Sequence, residues 1–531
     1  MTIDDHLVLP RRLDYGQYDR LWSHLRKLPV MQGKSFPPRT DKAIWDVLLQ
    51  DTRLTSRGIT MSGYFQFMLD GPIFQLRLRP LQLDNSHRLE RRFGAERFLE
   101  IDMPNITGTK VPKTLRDLNS VGKAVIVKWL TDQHKFIGKT WTVFCNKPIR
   151  TKGKPKNKGL ETKSELDNSL TQRLFFFAVT GDGFKPCKGT PLPGSTQDSW
   201  TADGLLNWIR PTSENRSQPY LKLYARTSLS LSRNNPTIVI PWDQILYKED
   251  MMFAGEAMTD GAGRLSFALA QKIANHLGLD SLPSGFQARF GDAKGFWTID
   301  PDTINYPDEW IEVYESQQKW TRKDVNDPHY EDPAYRTFEV NGKSGELKSA
   351  DLNTQLLPIL VDRAIDKTEM INVIGQLLEQ NLAETINSQR DAMMNPLTCM
   401  EWVQDTNCRL TEKLKTGVVP FAGGLPALSG DRMSVLLGAG FHPVTCKLLR
   451  ELAQRLYSQK CDDLRNELKI TVHRSTYAYM VPDFSGVLEP DEVYIHLSKN
   501  ISPPGKLVRI KVILFVISEN RVDYFSALRA M

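Results

Sequence analysis

The sequence predicts a mixed α+β protein of roughly three domains, and three observations carry that reading. Short apolar runs with period-two alternation recur between turn residues, as in half-buried strands. Other segments space their apolar residues at 3.6, as amphipathic helices do. The chain is 531 residues long, with 40% apolar and 25% charged residues, which is ample to build substantial cores.

In chain order, Tyr64–Leu69 and Phe74–Leu78 read as strands around the turn Asp70-Gly71-Pro72. Ala124–Leu130 and Leu174–Val179 are further apolar runs of strand type. Thr237–Pro241 is a β-branched run. Ser266 is placed to cap a helix whose apolar face is Phe267, Ala270, Ile273, Ala274 and Leu277, with Gly278 as its stop. In Gly285–Asp300, Phe286, Ala288 and Phe290 alternate with Gln287 and Arg289, and Gly291 to Gly295 supplies a hairpin turn. Residues 350–468 read as helical, with core stripes Ile371, Ile374, Leu378, Leu382 and Leu448, Leu449, Leu452, Leu456, the second on a helix from about Val444. Strands return at Ile470–Val472 and Val493–Leu497 around a turn at Pro490-Asp491.

The formal charge is +7, and its excess is uneven: Lys147 to Lys163 holds seven Lys or Arg and a single acid, Glu161. With its glycines and proline this stretch is a loop or tether. Charge alone favours a solvated loop; the functional reading is attraction to a polyanion through Lys147, Arg150, Lys152, Lys154, Lys156 and Lys158. Six scattered cysteines form no CxxC pair, which argues against a zinc knuckle or a disulfide framework. No signal-peptide layout opens the chain and no apolar run approaches the ~18 residues of a membrane span. The expectation is a soluble intracellular protein, in nucleus or cytoplasm, with no membrane partner.

An ordered series of motifs narrows the reading. It runs from Arg77-Leu78-Arg79-Pro80, Ser86-His87-Arg88 and Arg92-Phe93-Gly94-Ala95-Glu96-Arg97-Phe98-Leu99 to Lys222-Leu223-Tyr224-Ala225-Arg226-Thr227 and Leu231-Ser232-Arg233. It continues through Met258-Thr259-Asp260-Gly261-Ala262-Gly263-Arg264-Leu265-Ser266, Pro283-Ser284-Gly285-Phe286-Gln287-Ala288-Arg289-Phe290-Gly291 and Lys294-Gly295. Ser316-Gln317-Gln318-Lys319-Trp320, Leu352-Asn353-Thr354-Gln355-Leu356 and Asp483-Phe484-Ser485-Gly486-Val487-Leu488-Glu489-Pro490 complete it. In order and spacing this series resembles the cellular RNA-dependent RNA polymerases of RNA silencing, nearest to the fungal branch. The resemblance implies a double-psi β-barrel polymerase core: an N-terminal α+β region over 1–215, a first barrel over 216–345, a helical connector over 346–468 and the start of a second barrel over 469–500. Residues 501–531 lie outside it.

The resemblance also implies chemistry: single-stranded RNA copied into double-stranded RNA from ribonucleoside triphosphates, with Mg²⁺ and partners in the silencing machinery. Nucleotidyl transfer needs cations against the triphosphate and carboxylates holding two metal ions. Arg289, Lys294 and Lys319 are the phosphate-contacting candidates, Lys294 in the glycine-flanked turn and Lys319 at the family's third basic position. Glu315 stands where the family has proline, and its carboxylate would oppose Lys319. Asp260-Gly261-Ala262-Gly263 reads as a turn, and Asp182-Gly183 and Asp300-Pro301-Asp302 as poor metal sites. The family's Asp-x-Asp-Gly-Asp loop is absent from the sequence. No metal ligand or catalytic residue is therefore assigned, and the chain is expected to be inactive. Its last residues, with the β-prone run Val512–Ile517, read as the product of a truncated or misread gene. The alternative is a non-catalytic RNA-binding or regulatory protein.

Overall fold

In the computed structural model the described residues are 57–68, 74–79, 82–106, 119–136, 138–149, 170–181, 200–322, 324, 327, 329–345, 349–406, 421–422, 425–426, 428–472 and 477–488. Two sheets and a helical region make up the fold, a mixed α/β architecture as the sequence predicts.

The first sheet is built from β1 (Arg57–Phe67), β2 (Phe74–Leu78), β3 (Gln82–Asn85), β4 (Phe98–Pro104), β5 (His134–Phe136), β6 (Lys139–Pro148) and β7 (Leu170–Gly181). Its order is β2-β1-β4-β7-β6-β5, with β3 also on β1; β1 and β4 run parallel and the other pairs antiparallel. Alternation decides its packing, since successive side chains face opposite sides. Phe175, Phe177 and Val179 of β7 join one core with α1 (Arg88–Phe93), while Leu174, Phe176 and Ala178 join the core on the other face, where α2 (Asn119–Thr131) lies. Helices α3 (Ala202–Ile209) and α4 (Tyr220–Thr227) pack on the α1 side through Leu205, Trp208, Ile209 and Leu223.

The second sheet uses β8 (Asn235–Val239), β9 (Ile245–Lys248), β12 (Ala262–Leu265), β13 (Gly285–Phe290), β14 (Ala293–Ile299), β15 (Ile311–Tyr314) and β16 (Thr337–Lys343); a small hairpin of β10 (Met252–Phe253) and β11 (Glu256–Ala257) stands apart. Its order is β8-β16-β13-β14-β12-β15-β9, with parallel pairs β12/β14 and β15/β9. Helix α5 (Phe267–His276) fills its concavity. Ser266 caps that helix as expected, accepting from the Leu269 amide at 3.3 Å, and Gly278 ends it at φ +63°. Phe286, Ala288 and Phe290 point into this core, as their spacing predicts.

The two sheets are joined at α1. Arg88 and Arg91 both reach Glu339 of β16, 2% exposed in its side chain, and Arg88 also donates to the Gly291 carbonyl. Burial alone would raise the Glu339 carboxyl, but the two guanidiniums bring it below the usual carboxylate range. Arg92 pairs with Asp332, and Arg233 with Glu90 and Glu100.

The helical region comprises α6 (Leu356–Arg363), α7 (Lys367–Ala392), α8 (Pro396–Thr406), α9 (Ser429–Gly438) and α10 (Lys447–Asp462). Short pairs β17 (Ala350–Asp351) with β20 (Thr471–Val472), and β18 (Phe421–Ala422) with β19 (Leu425–Pro426), punctuate it. Beyond it, residues 477–488 return to the second sheet. There Tyr479 stacks on Phe296 at 4.0 Å, and Arg264 lies over the Phe484 ring at 5.0 Å.

Three expectations need correction. Ala124–Leu130 is part of helix α2, not a strand. A continuous apolar run carries no period, and here Ile126 is buried while Val125 and Val127 are about half exposed. The Ile371, Ile374, Leu378, Leu382 stripe is not core: Ile371 is exposed and the other three are only partly buried. In α10, Leu449, Leu452 and Leu456 are buried but Leu448 is exposed, and the helix starts at Lys447 rather than near Val444. The turn at Asp70-Gly71-Pro72, the strand at Val493–Leu497 and the tail readings lie outside the described residues.

Glu339→Ala leaves two arginines against a buried seam without their carboxylate, so it should cost about 3–5 kcal/mol. Leu452→Ala should cost about 2–5 kcal/mol, whereas exposed Ile371→Ala should stay within about 0.5 kcal/mol. Urea unfolding followed by tryptophan fluorescence compares the three.

Candidate functional site

The β13–β14 hairpin begins the site. Its strands pair Arg289 directly with Lys294, and only Gly291 and Asp292 lie outside the ladder. This two-residue turn, with Gly291 at φ +54°, is tighter than the five-residue turn expected from sequence. Lys294 therefore stands on a strand, half-buried, and not in a flexible glycine loop. Gly295 serves close packing instead. A Cβ there would lie 2.5 Å from the Gly261 carbonyl and 2.6 Å from Gln317 Nε2.

Lys319 reaches the same turn from β15. The Lys319 amide donates to the Asp292 carbonyl at 2.9 Å, Gln318 bridges to Ala293, and Gln318 Nε2 donates to Asp292 Oδ2 at 3.1 Å. The Lys319 ammonium donates to the Ser316 carbonyl at 2.7 Å, and Ser316 is itself held by Asp250. Burial lowers the Lys319 pKa, the Asp260 carboxylate opposes this, and Arg226, Lys294 and Lys222 add to the lowering. The carboxylate bearing on Lys319 is thus Asp260, where the sequence suggested Glu315; Glu315 is exposed. All three predicted phosphate-facing residues are brought to one turn.

Two further cations join them from α4. Arg226 donates to the Lys319 carbonyl and to Gln218, and Lys222 lies one helical turn before it. Asn215 clasps Thr321, two residues beyond Lys319, donating to its carbonyl at 2.8 Å and accepting from its amide at 2.9 Å. Sequence reasoning gave these residues no role; the one signal was the Lys222–Thr227 motif itself. Of the basic loop, Lys147 is the last but one residue of β6, opposite Arg173, and Arg150, Lys152, Lys154, Lys156 and Lys158 lie outside the described residues.

The acidic residues do other work. Gly261 turns at φ +75° and its carbonyl accepts from the Phe296 amide at 2.8 Å, so Asp260-Gly261 is a turn. Asp300 pairs with Arg264 at 3.0 Å and caps its own short helix. Asp292 is buried, and desolvation pushes its pKa up to about 7 against the hydrogen bonds it accepts. Among the described residues no three His, Cys, Asp or Glu converge to hold a metal ion. A two-metal centre would need such a set of carboxylates.

Comparison with known proteins follows the same line. A family model described as RNA dependent RNA polymerase matches residues 73–516. The chain is 26% identical over 309 residues to "Probable RNA-dependent RNA polymerase 2" of Oryza sativa subsp. japonica, covering 57% of this chain and 23% of that protein. It is 21% identical over 318 residues to "RNA-dependent RNA polymerase 1" of Arabidopsis thaliana, covering 59% and 25%. Among solved structures it is similar to the RNA dependent RNA polymerase QDE-1 from Thielavia terrestris, with a TM-score of 0.66 and 35% identity, over 92% of this chain and 50% of that one. The matched region is thus about a quarter of each curated relative and half of the solved chain.

Asp292 sets a pH dependence. Its folded pKa lies above the ordinary 3.8, so its contribution is intact below about pH 4 and is lost as the pH rises to and past about 7. Asp292→Asn should match the wild type in thermal stability at pH 4 and exceed it increasingly up to about pH 7–8. Melting curves across this range would show a constant difference if Asp292 stays ionised in the fold.

Proposed function

The chain belongs to the RNA-dependent RNA polymerase family, and on that premise we propose that it carries the phosphate-binding side of a nucleotidyl-transfer centre. The reaction would copy single-stranded RNA into double-stranded RNA from ribonucleoside triphosphates, inside the cell and within RNA silencing. One observation carries this: Arg289, Lys294 and Lys319 meet at the Gly291-Asp292 turn, fixed by strand pairing and by backbone hydrogen bonds. Cations carried on a backbone fixed in this way are set in place to offset the charge of a triphosphate. The second sheet is read as the first double-psi barrel of the core, spanning 216–345. Its two parallel pairings within an otherwise antiparallel sheet support that reading. The region 1–215, the connector 346–468 and the second barrel from 469 complete the proposed division. No helix among the described residues is long and apolar enough to cross a membrane.

Transfer itself requires Mg²⁺ held by carboxylates, and no Asp-x-Asp-Gly-Asp occurs in the sequence. This favours, as a second reading for the chain as it stands, RNA binding without catalysis.

Purified protein should bind single-stranded RNA with little sequence preference and give no nucleotide incorporation with Mg²⁺ or Mn²⁺. If about 4 phosphates are neutralised, log affinity should fall with log salt at a slope of about −3. Arg289→Ala with Lys294→Ala should flatten that slope. Filter binding and an incorporation assay test the pair of claims: absence of RNA binding at low salt sinks the first, template-dependent incorporation the second.

A further inference from the structure

We propose that Asn215, Gln218 and Arg226 form a clasp that sets the phosphate contact of Lys319, acting through that residue rather than on phosphate directly. The proposal rests on the phosphate-binding reading above and gives it three positioning residues.

The two backbone ends of Lys319 are held by different parts of the fold. Its amide is bonded at 2.9 Å to the Asp292 carbonyl, in the β13–β14 turn of the second sheet. Its carbonyl accepts from Arg226 of α4, the helix that packs with α3 on the first sheet. The residues that follow are held from the same side. Asn215 takes both the amide and the carbonyl of Thr321, and the Arg322 guanidinium donates to the Asn207 and Trp208 carbonyls of α3. Lys319 thus stands where the chain leaves the second sheet and passes along the helices of the first.

Asn215 is the fixed point of the clasp. A side-chain amide has two donor hydrogens and two acceptor positions, and here all four are used. Nδ2 donates to the Pro211 carbonyl at 2.7 Å and to the Thr321 carbonyl at 2.8 Å. Oδ1 accepts from the Thr321 amide and from Gln218 Nε2, each at 2.9 Å. Gln218 passes the link on, because its Oε1 accepts from Arg226 Nη1, the same nitrogen that donates to the Lys319 carbonyl. A ring of hydrogen bonds therefore starts on Thr321 and closes on Lys319. The tie has an electrostatic cost. Burial lowers the Lys319 pKa, and the neighbouring Arg226 charge lowers it further. A neutral donor would hold the carbonyl without that repulsion, whereas a phosphate joining the cluster relieves it.

The test uses the full chain and fluorescence anisotropy with an oligouridylate at several salt concentrations. Lys319→Gln should reduce the salt slope by about 0.7, one phosphate contact, which is about fivefold in affinity at about 0.1 M salt. Arg226→Lys keeps the charge but lacks the planar fork that spans Gln218 and Lys319, so it should give most of that loss. Gln218→Ala, a neutral change, should move binding in the same direction. No variant is placed at Asn215, whose removal would leave buried backbone groups unpaired and cost stability as well. Arg226→Lys should add nothing to Lys319→Gln, yet multiply in full with Arg289→Ala. General damage to the fold would show no such selectivity. If Arg226→Lys and Gln218→Ala bind like wild type, or if either loss multiplies with that of Lys319→Gln, the clasp is overturned. Wild-type binding by Lys319→Gln, beside a loss in Arg289→Ala with Lys294→Ala, also overturns it and leaves the phosphate turn standing. If the wild type itself fails to bind the oligonucleotide, the functional reading falls and the clasp with it.

Discussion

Arg88 occupies the seam on which the rest of the structure depends. Its guanidinium is almost wholly buried, shared between the Glu339 carboxylate and the Gly291 carbonyl. A charge in that position is tolerated only because its partners are complete, and removing any of them leaves a desolvated ion. One partner stands on β16 and the other in the β13–β14 turn of the second sheet, whereas Arg88 belongs to the helix that packs on the first. One side chain therefore fixes the sheets against each other and holds the turn around which the cations gather.

The cations themselves are placed mainly by backbone. Arg289 and Lys294 are cross-strand neighbours, and Lys319 is brought in by its amide bonding to the Asp292 carbonyl. Main-chain bonds constrain a position more tightly than a contact between long side chains, which retain rotamer freedom. Glycines support this by absence of bulk: at Gly263 and Gly295 a Cβ would meet backbone or side-chain atoms within 3 Å. The glycine-rich motif is thus a packing device beneath the site.

Much of this was legible in the sequence where a period exists to be read. The alternation of Phe286, Ala288 and Phe290, the Ser266 cap and the Gly278 stop all translate directly into local geometry. The run around Ile126 has no period, so its helical state is decided by what it packs on. Lys294 looked like a turn residue because glycines flank it, yet Gly295 is there for the close approach of Gly261 and Gln317, which local sequence does not reveal. Arg226 was invisible as a structural tie because its bond to Lys319 spans 93 residues and ends on a carbonyl, which every residue type possesses.

The separation of Arg88 from Glu339, 251 residues, also sets an order of assembly. The β13–β14 hairpin closes locally, but the seam closes a very long loop, and such contacts form late because their entropy is lost before they repay it. At about 5–20 residues per second, a ribosome needs on the order of 10–50 seconds to travel from one to the other. During that interval α1 presents its arginines without Glu339, and the first sheet waits with one flank open. Arg289 and Lys294 can meet early as a hairpin, yet they acquire their fixed setting only when the strand bearing Glu339 arrives.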